Sequence, residues 1–251
     1  MNDAITLVPV AHMRLTPDHR AEMVNQLLFG ESVIILAITK DGWIEVKSTT
    51  DGYVGYCRLN QFLLMAEPLA QTGEYTGDWV EQISVNGEKL MIPFGSNLSL
   101  LNTVIPGYSF SFNGNIFKAA ATNRSAENIT HIASMFLNSA YLWGGKSVFS
   151  IDCSGFVQSV FKMLQIALPR DANMQARQGE AVGFLQEANC GDLAFFDDEK
   201  GDITHVGILL NEQQIIHASG IVRIDAIDNE GIINGTTKKR THQLRVIKRF
   251  I

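Results

Sequence analysis

The chain is poor in cysteine, with three in 251 residues: Cys57, Cys153 and Cys190. An odd number at such wide spacing excludes a disulfide framework and the paired-ligand pattern of a zinc ribbon. Long apolar runs are missing as well. No stretch approaches the roughly 18 consecutive apolar residues that a membrane-spanning helix needs. The first residues, Met1-Asn-Asp-Ala-Ile-Thr-Leu-Val8, have neither a basic region nor a continuous apolar run, so they do not read as a signal peptide. The expected location is cytoplasmic, where thiols stay reduced. Removal of a leader would place the protein in the periplasm or outside the cell instead. Positive charge is also scarce. Lys and Arg total 20 against 26 Asp and Glu, a formal net charge of −6, and no basic run occurs. Nucleic-acid binding and anchoring to an anionic membrane or wall polymer both want a basic patch, and neither is expected.

What is present is a folding composition. At 46% apolar and 18% charged, the chain matches globular rather than disordered proteins. Its length suits one to three domains with a sizeable core. The most informative stretch is Tyr141 to Leu164. Asp152 stands where a helix N-cap is wanted. Phe156, Val157, Val160, Phe161 and Leu164 then recur at helical spacing. Cys153 therefore falls in the first turn, where unpaired N–H groups and the helix dipole favour a negative sulfur. The expectation is a thiol pKa lowered from about 8.5 into the range of roughly 3.5 to 7.5. The competing reading is a small buried cysteine used for packing.

Two histidines bear on that choice. Asp202 to Leu210 reads as a strand, Asn211-Glu-Gln213 as a turn and Gln214 to Ala218 as the returning strand. A hairpin centred on Asn211 pairs position 205 with position 217. His205 and His217 then become cross-strand neighbours with Cβ atoms about 5 Å apart. One imidazole can take the thiol proton and the second can orient the first. Cys153 with the two histidines could instead hold zinc, although no local pair has finger-like spacing; no metal and no cofactor are expected. His12, His19, His131 and His242 have no motif around them and read as structural or exposed. Cys57 and Cys190 read as packing residues.

The first half of the chain reads as β structure. Ser32–Thr39, Trp43–Lys47 and Tyr53–Cys57 are strands separated by the Asp41-Gly42 and Asp51-Gly52 turns, which suggests a small barrel. Glu22 to Leu28 reads as a short helix. A second unit follows, with Glu88–Ile92 as a strand and Ser109–Phe112, Asn113-Gly114 and Asn115–Lys118 as a hairpin. The expected domains are 1–58, 60–120 and 125–251, with Ala119 to Asn128 as the linker. Ile129 to Leu137 reads as the first helix of the last domain.

Tyr141, Trp143-Gly-Gly145, Asp152-Cys-Ser-Gly-Phe-Val157, Gly191-Asp-Leu193, His205-Val-Gly-Ile208 and His217-Ala-Ser219 together resemble the NlpC/P60 family of cell-wall cysteine peptidases. The pattern Gly30-Glu31, Asp41-Gly-Trp43 and Gly52-Tyr-Val-Gly-Tyr56 resembles bacterial SH3 domains. The resemblance implies an α+β fold: a papain-like catalytic domain preceded by two small SH3-like β-barrels, the second degenerate. It implies a triad of Cys153, His205 and His217, with Tyr141 near the thiol as an oxyanion contributor. In the subset with N-terminal SH3 domains it implies cleavage of the γ-D-glutamyl–diamino acid bond of murein peptides that begin with a free L-Ala. The amine would be held by Asp152, Glu22 and Tyr56, and Ser154, Arg170 and Asp171 would line the substrate site. Ala172 stands where the family's Arg-Asp-Ser stretch has its serine. The alternatives are a wall-binding module without turnover or a more general murein hydrolase.

Overall fold

The computed structural model describes residues 2–39 and 41–251. Two compact units divide them: residues 1–121 with 143–149, and residues 122–142 with 150–251. Among the described residues no helix is long and apolar enough to cross a membrane.

The first unit is almost wholly β. Its strands β1 (Asp3–Thr6), β2 (Val10–Arg14), β3 (Met23–Leu28), β4 (Ser32–Ile38), β5 (Trp43–Ser48), β6 (Val54–Arg58) and β7 (Phe62–Met65) form one sheet in the order β3-β2-β6-β5-β4-β1-β7. Alternate residues point inward, and Ala4, Met13, Leu27, Val33, Ile44, Val46 and Cys57 fill its core. The segment read as a helix, Glu22 to Leu28, is strand β3. Its backbone pairs antiparallel with β2, from Val10↔Leu28 to Arg14↔Met23. Tertiary pairing overrides the local helix pattern there. Strands β8 (Glu74–Thr76), β9 (Val80–Val85), β10 (Glu88–Pro93), β11 (Phe110–Phe112) and β12 (Ile116–Lys118) follow. The expected Ser109–Lys118 hairpin does not form: β11 pairs with β9 and β12 with β8. The reason is Glu81, whose carboxylate accepts the backbone N–H groups of Asn115, Gly77 and Asp78. It thereby holds the Asn-Gly segment open.

The two sets of strands share a core, in which Ile5 and Phe29 pack with Ile83, Ile92, Leu98 and Leu100. Gly30 sits at the contact. Its φ is +77°, and a Cβ there would lie 2.0 Å from the carbonyl oxygen of Asn97, so only glycine fits. Residues 143–149 belong to this unit too. Trp143 donates its ring N–H to Glu22, the Lys146 backbone N–H goes to Gln26, and Lys146 Nζ lies 3.3 Å from Glu31 Oε2. Both charges of that last pair are buried, and breaking a buried pair is costly.

The second unit opens with α1 (Ala126–Ser134), capped by Ser125. Strand β13 (Ala140–Tyr141) pairs in parallel with β15 (Ser150–Ile151), Tyr141 opposite Ile151. Between them in sequence, β14 (Lys146–Ser147) lies beside β3 in the first unit. Helix α2 (Cys153–Met163) follows, then α3 (Ala172–Gln175) and β16 (Glu180–Val182). The remaining strands are β17 (Leu193–Asp197), β18 (Ile203–Asn211), β19 (Gln214–Ser219), β20 (Ile221–Asp228), β21 (Gly231–Ile233) and β22 (Arg240–Arg249). They pair antiparallel in the cycle β17-β18-β19-β20-β21-β22 and back to β17, a closed ring of six. Closure leaves those strands no exposed edge within the cycle. Ala194, Phe196, Leu209, Ile215, Ile227, Ile232 and Ile247 pack together as its core. Helix α2 is buried along nearly its whole length and packs on β18 and β19.

Candidate active site

The site starts from a cap. Asp152 Oδ1 accepts the Gly155 N–H at 2.7 Å, which satisfies one orphan donor of α2 and sets Cys153 as its first residue. The parallel pairing of β13 with β15 brings Tyr141 to the same end of the helix. The Cys153 sulfur is faced by the backbone N–H groups of Val206 and Ser154. Val206 follows His205 on β18, so one strand supplies both a donor to the sulfur and the neighbouring imidazole.

The thiol is not depressed as the helix start led us to expect. Burial pushes it up to about 12 and the Asp152 carboxylate adds to that, while the two N–H groups and Arg170 pull the other way. Desolvation outweighs the dipole because the sulfur is buried and a negative charge stands beside it. Tyr141 is also held up to about 12, first by burial and then by Cys153 and Asp152. Its phenol therefore keeps its proton and can donate.

Asp152 does not wait for a cation to arrive. Arg170, itself buried, grips it in a fork, with Nη1 to Oδ1 at 3.0 Å and Nη2 to Oδ2 at 2.6 Å. Arg170 Nη1 also donates to Ser154 Oγ at 2.9 Å. Of the other residues expected to bind substrate, Asp171 is exposed before α3. In the first unit, Glu22 engages Trp143, and the Tyr56 hydroxyl donates to Glu45 Oε1 at 3.1 Å.

The histidines meet, though not in the register expected. The turn falls at Glu212-Gln213, with Asn211 opposite Gln214, and a bulge between Leu209 and Asn211 then sets His217 opposite Gly207, so His205 is a diagonal neighbour. The same face is kept, and His205 Nε2 lies 2.9 Å from His217 Nδ1. Gly207 makes this possible: a Cβ there would come within 2.8 Å of the His217 Cβ. Behind His217 stands a residue the motif reading passed over. Asp225 Oδ2 is 3.1 Å from His217 Nε2, on the adjacent strand β20. Burial opposes its charge, but donors from His217, Gly235 and Arg223 hold it down to about 2. A period-2 count back from Ile227 would have placed it inward; nothing in the sequence tied it to a histidine.

His242, read as having no role, stacks on His205 with ring centroids 4.1 Å apart and planes 24° from parallel. Burial, then the neighbouring His242 and His217, hold His205 well below its ordinary pKa. His242 itself is lowered to about 4, by burial first and then His217. The two share a face because β22 and β18 both flank β17, where Phe196 touches both rings. Ring nitrogens of His205, His217 and His242 fall within 4.8 Å of one another. An ion bridging the two facing nitrogens at about 2.0–2.1 Å from each would need them near 4 Å apart for a line, or turned toward a common point. At 2.9 Å they face each other as donor and acceptor. In that geometry the pair can pass a proton. Cys190, expected to be buried, is half-exposed beside Thr130.

Known proteins give this geometry a context. Residues 138–242 match the NlpC/P60 family, and residues 13–62 match the bacterial dipeptidyl-peptidase Sh3 domain. The gamma-D-glutamyl-L-lysine dipeptidyl-peptidase of Bacillus subtilis (strain 168) is 29% identical over 82% of this chain and 77% of its own. Dipeptidyl-peptidase 6 of Lysinibacillus sphaericus is 23% identical over 91% of this chain and 93% of its own. The crystal structure of an NlpC/P60 family protein from Bacillus cereus ATCC 10987 superposes with a TM-score of 0.77, at 20% identity, over 98% of this chain and 99% of that one.

Proposed function

We propose, for a chain that carries an NlpC/P60 domain behind a bacterial SH3 domain, that it is a thiol peptidase acting on peptidoglycan stem peptides. The bond cut is γ-D-glutamyl to the diamino acid, in fragments with a free N-terminal L-Ala. The observation that carries the chemistry is the set Cys153, His205, His217, all in one unit: a sulfur at a helix start, faced by a backbone N–H of β18, the strand that carries His205, which is hydrogen-bonded to His217 on β19. Two relatives spanning most of the chain are named as dipeptidyl-peptidases, one of them for a γ-D-glutamyl-L-lysine bond, and this supports the choice of bond.

His205 is neutral at pH 7 and takes the thiol proton as sulfur attacks the scissile carbonyl. The developing oxyanion is met by the Cys153 backbone N–H and the Tyr141 hydroxyl. The proton on His205 then passes to the leaving amine, and water, deprotonated by the same imidazole, releases the acyl group. Because thiol and imidazole are both neutral at rest, the proton moves during attack and not before it. Recognition of the protonated L-Ala amine sets which fragments are cut. The deciding experiment compares L-Ala-γ-D-Glu-diamino acid peptides with and without an N-acetyl group. Turnover of the free peptide alone supports the reading, and equal turnover of both removes the amine-recognition part.

A further inference from the structure

Resting on the peptidase reading and deepening it, we propose that Asp225 is a positioning residue that sets the tautomers of both histidines and so selects Nδ1 of His205 as the base. Asp225 sits on β20 with its side chain almost fully buried. Its Oδ1 accepts the Gly235 N–H at 2.8 Å and Arg223 Nη2 at 2.9 Å. Its Oδ2 faces Arg223 Nε at 2.9 Å and His217 Nε2 at 3.1 Å. A carboxyl ringed by N–H donors is ionised, and an ionised carboxylate only accepts. The hydrogen between Asp225 and His217 therefore belongs to His217 Nε2.

A neutral imidazole carries one N–H. With Nε2 protonated, His217 Nδ1 is left with a lone pair, and that atom is the one 2.9 Å from His205 Nε2. His205 Nε2 must then be the donor, which leaves Nδ1 as the only lone pair on the His205 ring. When the Cys153 S–H bond breaks, its proton goes to Nδ1 and the electron pair stays on sulfur. The imidazolium so formed keeps its Nε2–H on His217, and His217 keeps its own on the carboxylate. Asp225 stays ionised throughout; it orients the chain and offsets the transient positive charge, as the third member of a hydrolase triad does.

Two measurements on the full chain test this. Long-range ¹H–¹⁵N spectra of histidine-labelled protein at pH 7.5 should show His217 protonated on Nε2 and not on Nδ1; the opposite tautomer in the wild type overturns the proposal, whatever any variant does. In Asp225→Asn the amide NH₂ can donate to His217 Nε2, which reverses every hydrogen in the chain. There kcat should fall about 10³-fold with KM within about threefold, and the His217 proton should move to Nδ1. Asp225→Ala removes the acceptor without imposing the reversal, and should cost less, about 10- to 100-fold. A carboxylate kept only for packing predicts the other order, with the isosteric Asn milder than Ala, and that order overturns the proposal. Asp225→Asn within threefold of wild-type kcat, beside an inactive Cys153→Ala, overturns it while leaving the peptidase reading intact. Wild-type turnover by Cys153→Ala brings down the peptidase reading instead.

Discussion

Cys57 and Cys153 are two buried thiols whose proton affinities are alike and whose surroundings are not. Cys57 lies in the core of the first unit among Met13, Leu27, Ile44 and Val46. Burial alone pushes it up to about 12. Cys153 is held at about 12 as well, yet there burial and Asp152 are opposed by two backbone N–H groups and Arg170. The lesson is that a depressed pKa does not mark the nucleophile in this chain. What separates the two sulfurs is what their surroundings carry: β18, whose Val206 N–H faces the Cys153 sulfur, also bears His205 of the His205–His217–Asp225 chain, and around Cys57 there are hydrocarbon side chains.

The sharpest way to break the comparison is to remove each sulfur. Cys153→Ala should lower kcat/KM at least about 10³-fold with little change in melting temperature. Cys57→Ala should leave kcat within threefold and cost about 1 kcal/mol of stability through the space it opens. If the two exchange roles, the assignment of the nucleophile is wrong. A smaller effect is expected from Gly207→Ala, whose methyl meets the His217 Cβ and the Ile215 side chain. Pushing His217 off the 2.9 Å contact should cut kcat about 10- to 100-fold while KM holds, measured on the free tripeptide. Smaller again is the dependence on acid. Since His205 is held well below 6.5, kcat/KM should persist as pH falls below 6.5, until the base itself is protonated. Half-loss at or above pH 6.5 would show that the stacked His242 and buried His217 do not depress it. Chelators should leave this profile unchanged, while a thiol alkylator abolishes it; loss with a chelator would convert the three-imidazole cluster into a metal site.

Most of the second unit was legible from sequence because its signals are local. An Asp cap, a helical apolar face from Phe156 to Leu164 and two strands around Asn211 need only near neighbours to be read. The fold assignment, an NlpC/P60 domain behind an SH3-like β domain, follows from the same short motifs and agrees with the matched families. What escaped was non-local. His242 reaches His205 only because β22 pairs with β17 on the far side of the ring. Asp225 reaches His217 only through the β19–β20 register. The later turn, at Glu212-Gln213, and the bulge that puts His217 opposite Gly207 leave no mark in the residues themselves. In the first unit, Glu81 redirected an Asn-Gly turn by gathering three N–H groups, and strand pairing converted the Glu22–Leu28 stretch from helix to strand. The thiol pKa was misjudged for a related reason: the helix dipole is visible in sequence and the depth of burial is not.

The smallest predicted effect tests the premise that both thiols are protonated at rest. An unfolded cysteine titrates near 9.0, and each buried one near 12. Between those values the unfolded chain has released the proton and the folded chain has kept it. The unfolded state then binds fewer protons, so stability falls as pH rises through the window. At pH 10 each thiol should cost about 1.4 kcal/mol relative to pH 7. Denaturant unfolding at both values should therefore show a loss from Cys57 and Cys153 together. Cys57→Ala should lose about 1.4 kcal/mol less than the wild type over the same interval, a difference that cancels any contribution from Tyr141 or Cys190 common to both proteins. An identical loss in both would mean that Cys57 is not held protonated by its core, and the likeness between the two thiols would fail from the structural side rather than the catalytic one.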